Sequence, residues 1–240
     1  MQKLNKYVFF DLYKGKGKIY KSMKLNIIYS VFFFIIMIQY AYGVNENQSW
    51  TKISIEKKLP HSLRLELSQG IRLKEQTSAF NLTFFEGSLS YKASNGLKIS
   101  APYRYTIFED KIKHRLSLDA SYQYSFKAIR LKSRIKYYRL YENGDTSGEN
   151  EIAFGDLVRN KLTIKYKTSK KINPYLSGEL FYLYNTTNNP FDEYRASFGL
   201  EINLPKKNSV NLFYIFKKEG ISNSNSNEIS IVGLSYISKI

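Results

Sequence analysis

Two histidines, His61 and His114, and no cysteine bound the chemistry open to this 240-residue chain. Without cysteine there is no disulfide, no thiolate metal site, no thiol nucleophile and no lipid-modified N-terminal cysteine. His114 stands next to Arg115, and Ser117 follows two residues on. A serine hydrolase needs a histidine that takes the serine proton, held in place by a third polar group. No G-x-S-x-G elbow accompanies the pair, and His61 follows Pro60 in a turn-like stretch. Asp145, Glu149, Glu151 and Asp156 gather oxygen ligands within residues 142–157, but without the D-x-[DN]-x-[DN]-G spacing of a calcium loop. They read as a solvated loop. These residues assign no catalytic group, no metal site and no cofactor, and the expectation is that the protein is not an enzyme.

Charge is the more informative chemistry. Lys and Arg number 37 against 20 Asp and Glu, a formal net charge of +17. Many of the cations alternate with apolar residues. Arg130, Lys132, Arg134 and Lys136 interleave with Ile129, Leu131, Ile135 and Tyr137. Further along, Arg159, Lys161 and Lys165 interleave with Leu162, Ile164 and Tyr166. The polar parity also carries Arg64, Glu66, Arg104, Arg115, Asp119, Glu179, Arg195 and Glu201. From these we read a candidate network of Arg115, Asp119, Arg130, Arg134, Arg159, Glu179, Arg195 and Glu201. Such a set either neutralises itself inside a protein or presents a positive wall to anions. Cations threaded through strands, without a continuous basic run or an RNA-reading motif, give no case for nucleic acid.

The elements that must carry these charges are strands. In 116–126, Leu116, Leu118, Ala120, Tyr122, Tyr124 and Phe126 share one parity. Ser117, Asp119, Ser121, Gln123 and Ser125 share the other. Alternate side chains of a strand point to opposite faces, so one face is apolar and the other polar. The pattern recurs at 97–108, 129–137, 158–167 and 194–204, with weaker copies at 62–73, 78–92, 174–184, 208–217 and 229–240. Residues 50–58 form a doubtful further strand. No segment has helical periodicity, and aromatics at 16% argue against a disordered chain.

Short and long connections alternate along the C-terminal half. The short ones are 127–128, 169–173 and 205–208, and the long ones 142–157, 185–192 and 218–228. The expected fold is all-β, an antiparallel up-and-down transmembrane β-barrel. Even strand numbers in single-chain bacterial barrels make ten or twelve the expected count. Strands of about 9–13 residues suit a tilted bilayer crossing. A secreted soluble barrel that binds a ligand would turn the same apolar parity inward, and a membrane-embedded lipid hydrolase is the other competing reading.

Residues 25–39, LNIIYSVFFFIIMIQ, form one apolar run, preceded by Lys18, Lys21 and Lys24 and followed by Ala41-Tyr42-Gly43. A basic start, an apolar core and small residues at the exit are the pattern of a secretory signal peptide. Met23 opens a segment of ordinary length. The expected organisation is therefore 1–22 as an over-long start or extended basic region, 23–43 as the signal peptide and 44–240 as the barrel. The destination is the cell outer membrane, after export through the periplasm. Outer-membrane lipid and the barrel-assembly machinery are the implied partners, with small anions as candidate solutes.

The chain also resembles a domain-of-unknown-function family of bacterial outer-membrane β-barrel proteins found mainly in Bacteroidota. The residues that carry the resemblance are His114-Arg115-Leu116, Arg134, Arg159-Asn160-Lys161-Leu162, Glu179-Leu180, Phe191-Asp192-Glu193-Tyr194-Arg195 and Trp50. It extends over roughly residues 50–240. The resemblance implies a fold and a location, and no activity or cofactor. The chain departs from many outer-membrane barrels in ending on Ile240 rather than on an aromatic residue.

Overall fold

A computed structural model describes residues 46–143, 153–168, 171–184, 191–221 and 226–240. The expected signal peptide, 23–43, and the segment before it lie outside the described residues. So do Asp145, Glu149 and Glu151.

Within the described residues the chain forms eleven strands. They are β1 (Glu46–Lys58), β2 (Leu63–Lys74), β3 (Ala79–Lys92), β4 (Leu97–Phe108), β5 (Ile112–Phe126) and β6 (Ile129–Asn143). Then follow β7 (Ala153–Tyr166), β8 (Ile172–Leu183), β9 (Phe191–Asn203), β10 (Ser209–Glu219) and β11 (Asn227–Lys239). Each strand pairs antiparallel with the next, and β11 closes on β1 to make a barrel.

The count of eleven corrects the even number expected from sequence. The even rule places both chain ends at one mouth. Here β1 starts at the mouth opposite to the one where β11 finishes, so the closing seam is parallel, from Glu46 opposite Ile229 to Glu56 opposite Lys239. A parallel ladder is only slightly weaker per residue than an antiparallel one, and closure removes both free edges. The doubtful segment 50–58 forms most of β1 and belongs to the wall.

The mouth where β11 ends is called the C-terminal mouth. It carries the tight connections 59–62, 93–96, 127–128, 167–171 and 204–208. The opposite, N-terminal mouth carries 144–152, 184–190 and 220–226, together with the shorter 75–78 and 109–111. The asymmetry read from the C-terminal half therefore holds there and fades in the N-terminal half.

The facing of the side chains decides between the barrel types. Ile53, Leu67, Leu89, Leu116, Leu118, Ile135, Leu162, Leu176 and Leu234 are exposed on the outer wall. Ser54, Ser68, Ser90, Ser100, Ser117, Asp119, Lys136, Ser177, Glu179 and Ser197 are buried on the inner one. A soluble ligand-binding barrel has the reverse arrangement. Here the apolar face looks out and the polar face in, the facing of a transmembrane barrel.

Aromatic side chains flank the aliphatic band. Tyr91, Tyr122, Tyr124, Phe126 and Tyr166 lie outward near the C-terminal mouth, and Tyr103, Tyr105, Tyr137 and Tyr194 towards the N-terminal one. Along β5, His114 and Tyr122 are eight residues apart. At about 3.3 Å per residue and a tilt of about 40° this spans roughly 20 Å across the membrane, close to the apolar height of such barrels.

Candidate functional site

The inner wall divides into two levels. Towards the N-terminal mouth it is packed. Leu82, Phe84, Tyr138, Leu157, Phe181, Ile229 and Ile231 are buried there, and five arginines lie among aromatic rings. Arg72 stacks 3.7 Å from the centre of Trp50. Arg104 stands 3.9 Å from Phe84 and Arg115 5.2 Å from Tyr138. Arg159 and Arg195 approach Phe181 at 4.9 and 4.6 Å. Arg195 also lies 5.3 Å from Trp50, which brings the circuit back to its start. Guanidinium groups are weakly hydrated and planar, so they stack flat on aromatic faces more readily than an ammonium does.

Carboxylates fasten this level. Glu86 accepts from Arg104 Nε at 2.7 Å and from Arg115 Nη2 at 3.4 Å. Glu179 holds both Arg159 and Lys161, and Glu193 holds Arg195. Among the described residues, Arg72 has no carboxylate partner.

Towards the C-terminal mouth the wall is more open and more basic. Asp119 pairs with Lys136 at 3.3 Å, Glu66 with Lys52 at 3.1 Å, Glu56 with Arg64 at 3.1 Å, and Glu201 with Lys165. Arg130, Lys132 and Arg134, successive inward positions of β6, have no ion-pair partner among the described residues. The Nε atoms of Arg130 and Arg134 are buried without a hydrogen-bond acceptor. One cross-strand row runs Lys98, Ser121, Arg134, Lys161, Glu179 and Arg195, each opposite the next. Two cavities open at this end, of about 650 Å³ and about 500 Å³.

All eight residues of the candidate network point into the lumen, but they do not form one cluster. Arg115, Arg159, Glu179 and Arg195 belong to the packed level and its edge. Arg130, Arg134 and Glu201 belong to the open one, with Asp119 between. Glu179 and Glu201 of that network share the task of holding inward cations with Glu86 and Glu193. Glu86, Arg72 and the inward rings were missed. Glu86 has the parity of Ser88 and Ser90, which was the available signal. It was obscured because Leu82 and Phe84 share the same parity.

The histidine pairing considered for hydrolysis does not form. His114 faces outward and its Nδ1 lies 2.7 Å from the Tyr103 hydroxyl. Ser117 faces inward and is 5% exposed. They occupy opposite faces of β5, so neither can activate the other. Asp156 is held by Arg139 at 2.8 Å. His61 and Ser62 take positive φ values of 57° and 61° in the β1–β2 turn, a structural position.

The family described as "Protein of unknown function (DUF2490)" matches residues 47–228, from β1 to the start of β11. The chain belongs to this family. The DUF2490 span includes Trp50, all five stacked arginines and the β6 cations.

Among solved structures, the chain is similar to a NanC porin at 8% identity, with 77% of this chain and 93% of that one covered and a TM-score of 0.48. It is similar to a KdgM porin at 13% identity, with 68% and 80% covered and a TM-score of 0.42. It is also similar to a bacterial polysaccharide outer membrane secretin at 10% identity, with 72% and 74% covered and a TM-score of 0.46. No curated protein sequence matches the chain.

Proposed function

We propose that this barrel resides in the outer membrane, reached by export through the periplasm, and provides a passive path for small anions. The observation that carries this reading is the unpaired cationic run Arg130, Lys132 and Arg134 on the inner wall, beside cations that outnumber the inward carboxylates. A positive wall in a confined lumen raises the local anion concentration and lowers that of cations. The arginine–aromatic level is the constriction through which a solute passes. No reaction is assigned, and the separation of His114 from Ser117 supports a non-enzymatic role.

Reversal potentials across a planar bilayer under a salt gradient test the proposal. The expected result is conductance with anion preference that weakens as salt rises, since the Debye length falls to about 10 Å at 0.1 M. Cation preference would overturn the charge argument. Absence of conductance would favour a second reading, in which the packed level seals the lumen and the barrel is structural. Location and export are tested separately. Heat-modifiable migration of the protein in the outer-membrane fraction is expected. Mass spectrometry of the mature N-terminus is expected to show cleavage after Gly43.

A further inference from the structure

We infer that the larger cavity at the C-terminal mouth is a binding site for a multivalent oxyanion, a molecule bearing two or more phosphate, sulfate or carboxylate groups. The inference deepens the anion-path reading by giving the lumen a defined site and ligand class. It rests on that reading only for how the ligand comes to be there.

Five cations line the cavity, Lys58, Arg64, Lys92, Lys98 and Lys132, and no carboxylate does. They come from five strands of the contiguous arc β1–β6, so they converge along one side of the mouth. Its volume of about 650 Å³ falls within the usual range for small-ligand sites. The carboxylates nearby are each committed to one cation, Glu56 to a member of the lining itself. Glu56 pairs with Arg64, Glu66 with Lys52 and Asp119 with Lys136. Among the described residues, Lys92, Lys98 and Lys132 make no ion pair.

The register adds an independent argument. Lys92 and Lys98 stand directly opposite each other across β3 and β4, and like charges in that position repel. Two strands further along the arc, Lys132 of β6 stands opposite Gln123 of β5 and brings a further cation to the same side. A wall that holds like charges this way is relieved by an anion between them. A monovalent anion neutralises one cation and leaves the others facing each other. An oxyanion with several charged groups bridges them. The Ser90, Ser121 and Ser125 hydroxyls and the Gln123 amide, which share the lining, supply neutral donors for the remaining oxygens.

The test uses the full chain, exported and purified from membranes in detergent, with inorganic triphosphate as the probe and calorimetry at low salt as the readout. Saturable binding is expected, tighter than that of acetate, and weakened by added sodium chloride. Lys98→Gln combined with Lys132→Gln should weaken it by about tenfold or more, as loss of two charge-assisted contacts implies. Lys92→Gln alone should weaken it less. Lys207→Gln, in the β9–β10 turn outside the cavity, should leave it unchanged. Heat-modifiable migration reports whether each variant is folded. Equal affinity of the wild type and the double variant would overturn the site, as would triphosphate binding no tighter than acetate. Anion-selective conductance without triphosphate binding would remove this site and leave the transport reading standing. Binding without conductance would do the opposite.

Discussion

The Arg72 guanidinium lies 3.7 Å from the centre of the Trp50 indole, and the two residues are direct cross-strand partners on β2 and β1. Arg195 of β9 approaches the same ring at 5.3 Å. Strands β10 and β11 stand between β9 and β1 in the wall, so this contact reaches across the lumen side of both. Trp50 thus joins two parts of the inner surface that the backbone ladder does not join directly. Each such stack contributes about 0.5–2 kcal/mol according to its exposure.

Trp50 is expected to limit the width of the path. Trp50→Ala removes the ring between Arg72 and Arg195 and should raise single-channel conductance in planar bilayers, with anion preference kept. Trp50→Phe should fall between this variant and the wild type. Unchanged conductance in Trp50→Ala would place the constriction elsewhere.

The barrel was legible in the sequence because its central strands keep a strict two-residue period. Residues 116–126 and 129–137 lie where the outer face is aliphatic or aromatic and the inner one polar, so parity and facing coincide. The inner residues of the packed level were not legible. Phe84, Tyr138 and Phe181 are aromatic yet point inward, which breaks the association of apolar with outside on which the reading relied. Their role depends on arginines from neighbouring strands, and parity within one strand carries no information on cross-strand partners. The strand count was misread although eleven segments carry the alternation, 50–58 among them, because the even-number rule was set above the pattern. The direction of β1 relative to β11 is a property of closure that neither strand's own pattern contains.

The facing of β5 gives a direct contrast. Leu118 is 57% exposed on the outer wall, whereas Gln123 lies on the inner parity and lines the cavity at the C-terminal mouth. Arginine on the lipid side near the midplane costs about 2–4 kcal/mol. Leu118→Arg should therefore reduce the folded, heat-modifiable form sharply, while Gln123→Arg leaves it near wild-type level. Equal tolerance would contradict the lipid-facing assignment.

The β9–β10 turn holds Lys206 and Lys207 at φ values of 56° and 62°, and Asn208 N–H donates to the Pro205 carbonyl at 3.3 Å. A two-residue turn with both central φ values positive favours Asn-Gly, and the left-handed conformation costs an ordinary residue about 1–2 kcal/mol. Replacing the pair by Lys206→Asn and Lys207→Gly should raise stability by about 1–2 kcal/mol. A shift of the heat-modification transition to higher temperature checks this. A lower transition temperature would mean that the lysines contribute contacts that outweigh the backbone cost.

Glu179 and Glu201 differ in the partners they would leave behind. The Glu179 side chain is 3% exposed and holds both Arg159 and Lys161. That of Glu201 is 31% exposed and holds Lys165 alone. Removing one member of a buried ion pair leaves an uncompensated charge and costs about 3–5 kcal/mol, whereas an accessible pair contributes about 1 kcal/mol or less. Glu179→Gln should therefore destabilise the barrel several times more than Glu201→Gln. The chain has one tryptophan, and Trp50 lies in the Arg195 contact network, so its fluorescence during urea unfolding in lipid vesicles reports the difference. Adding Lys161→Gln to Glu179→Gln should recover part of the loss, because one of the two stranded cations is then gone. If the double variant is no more stable than Glu179→Gln alone, Lys161 finds water or another acceptor in the lumen, and the cost arises at Arg159.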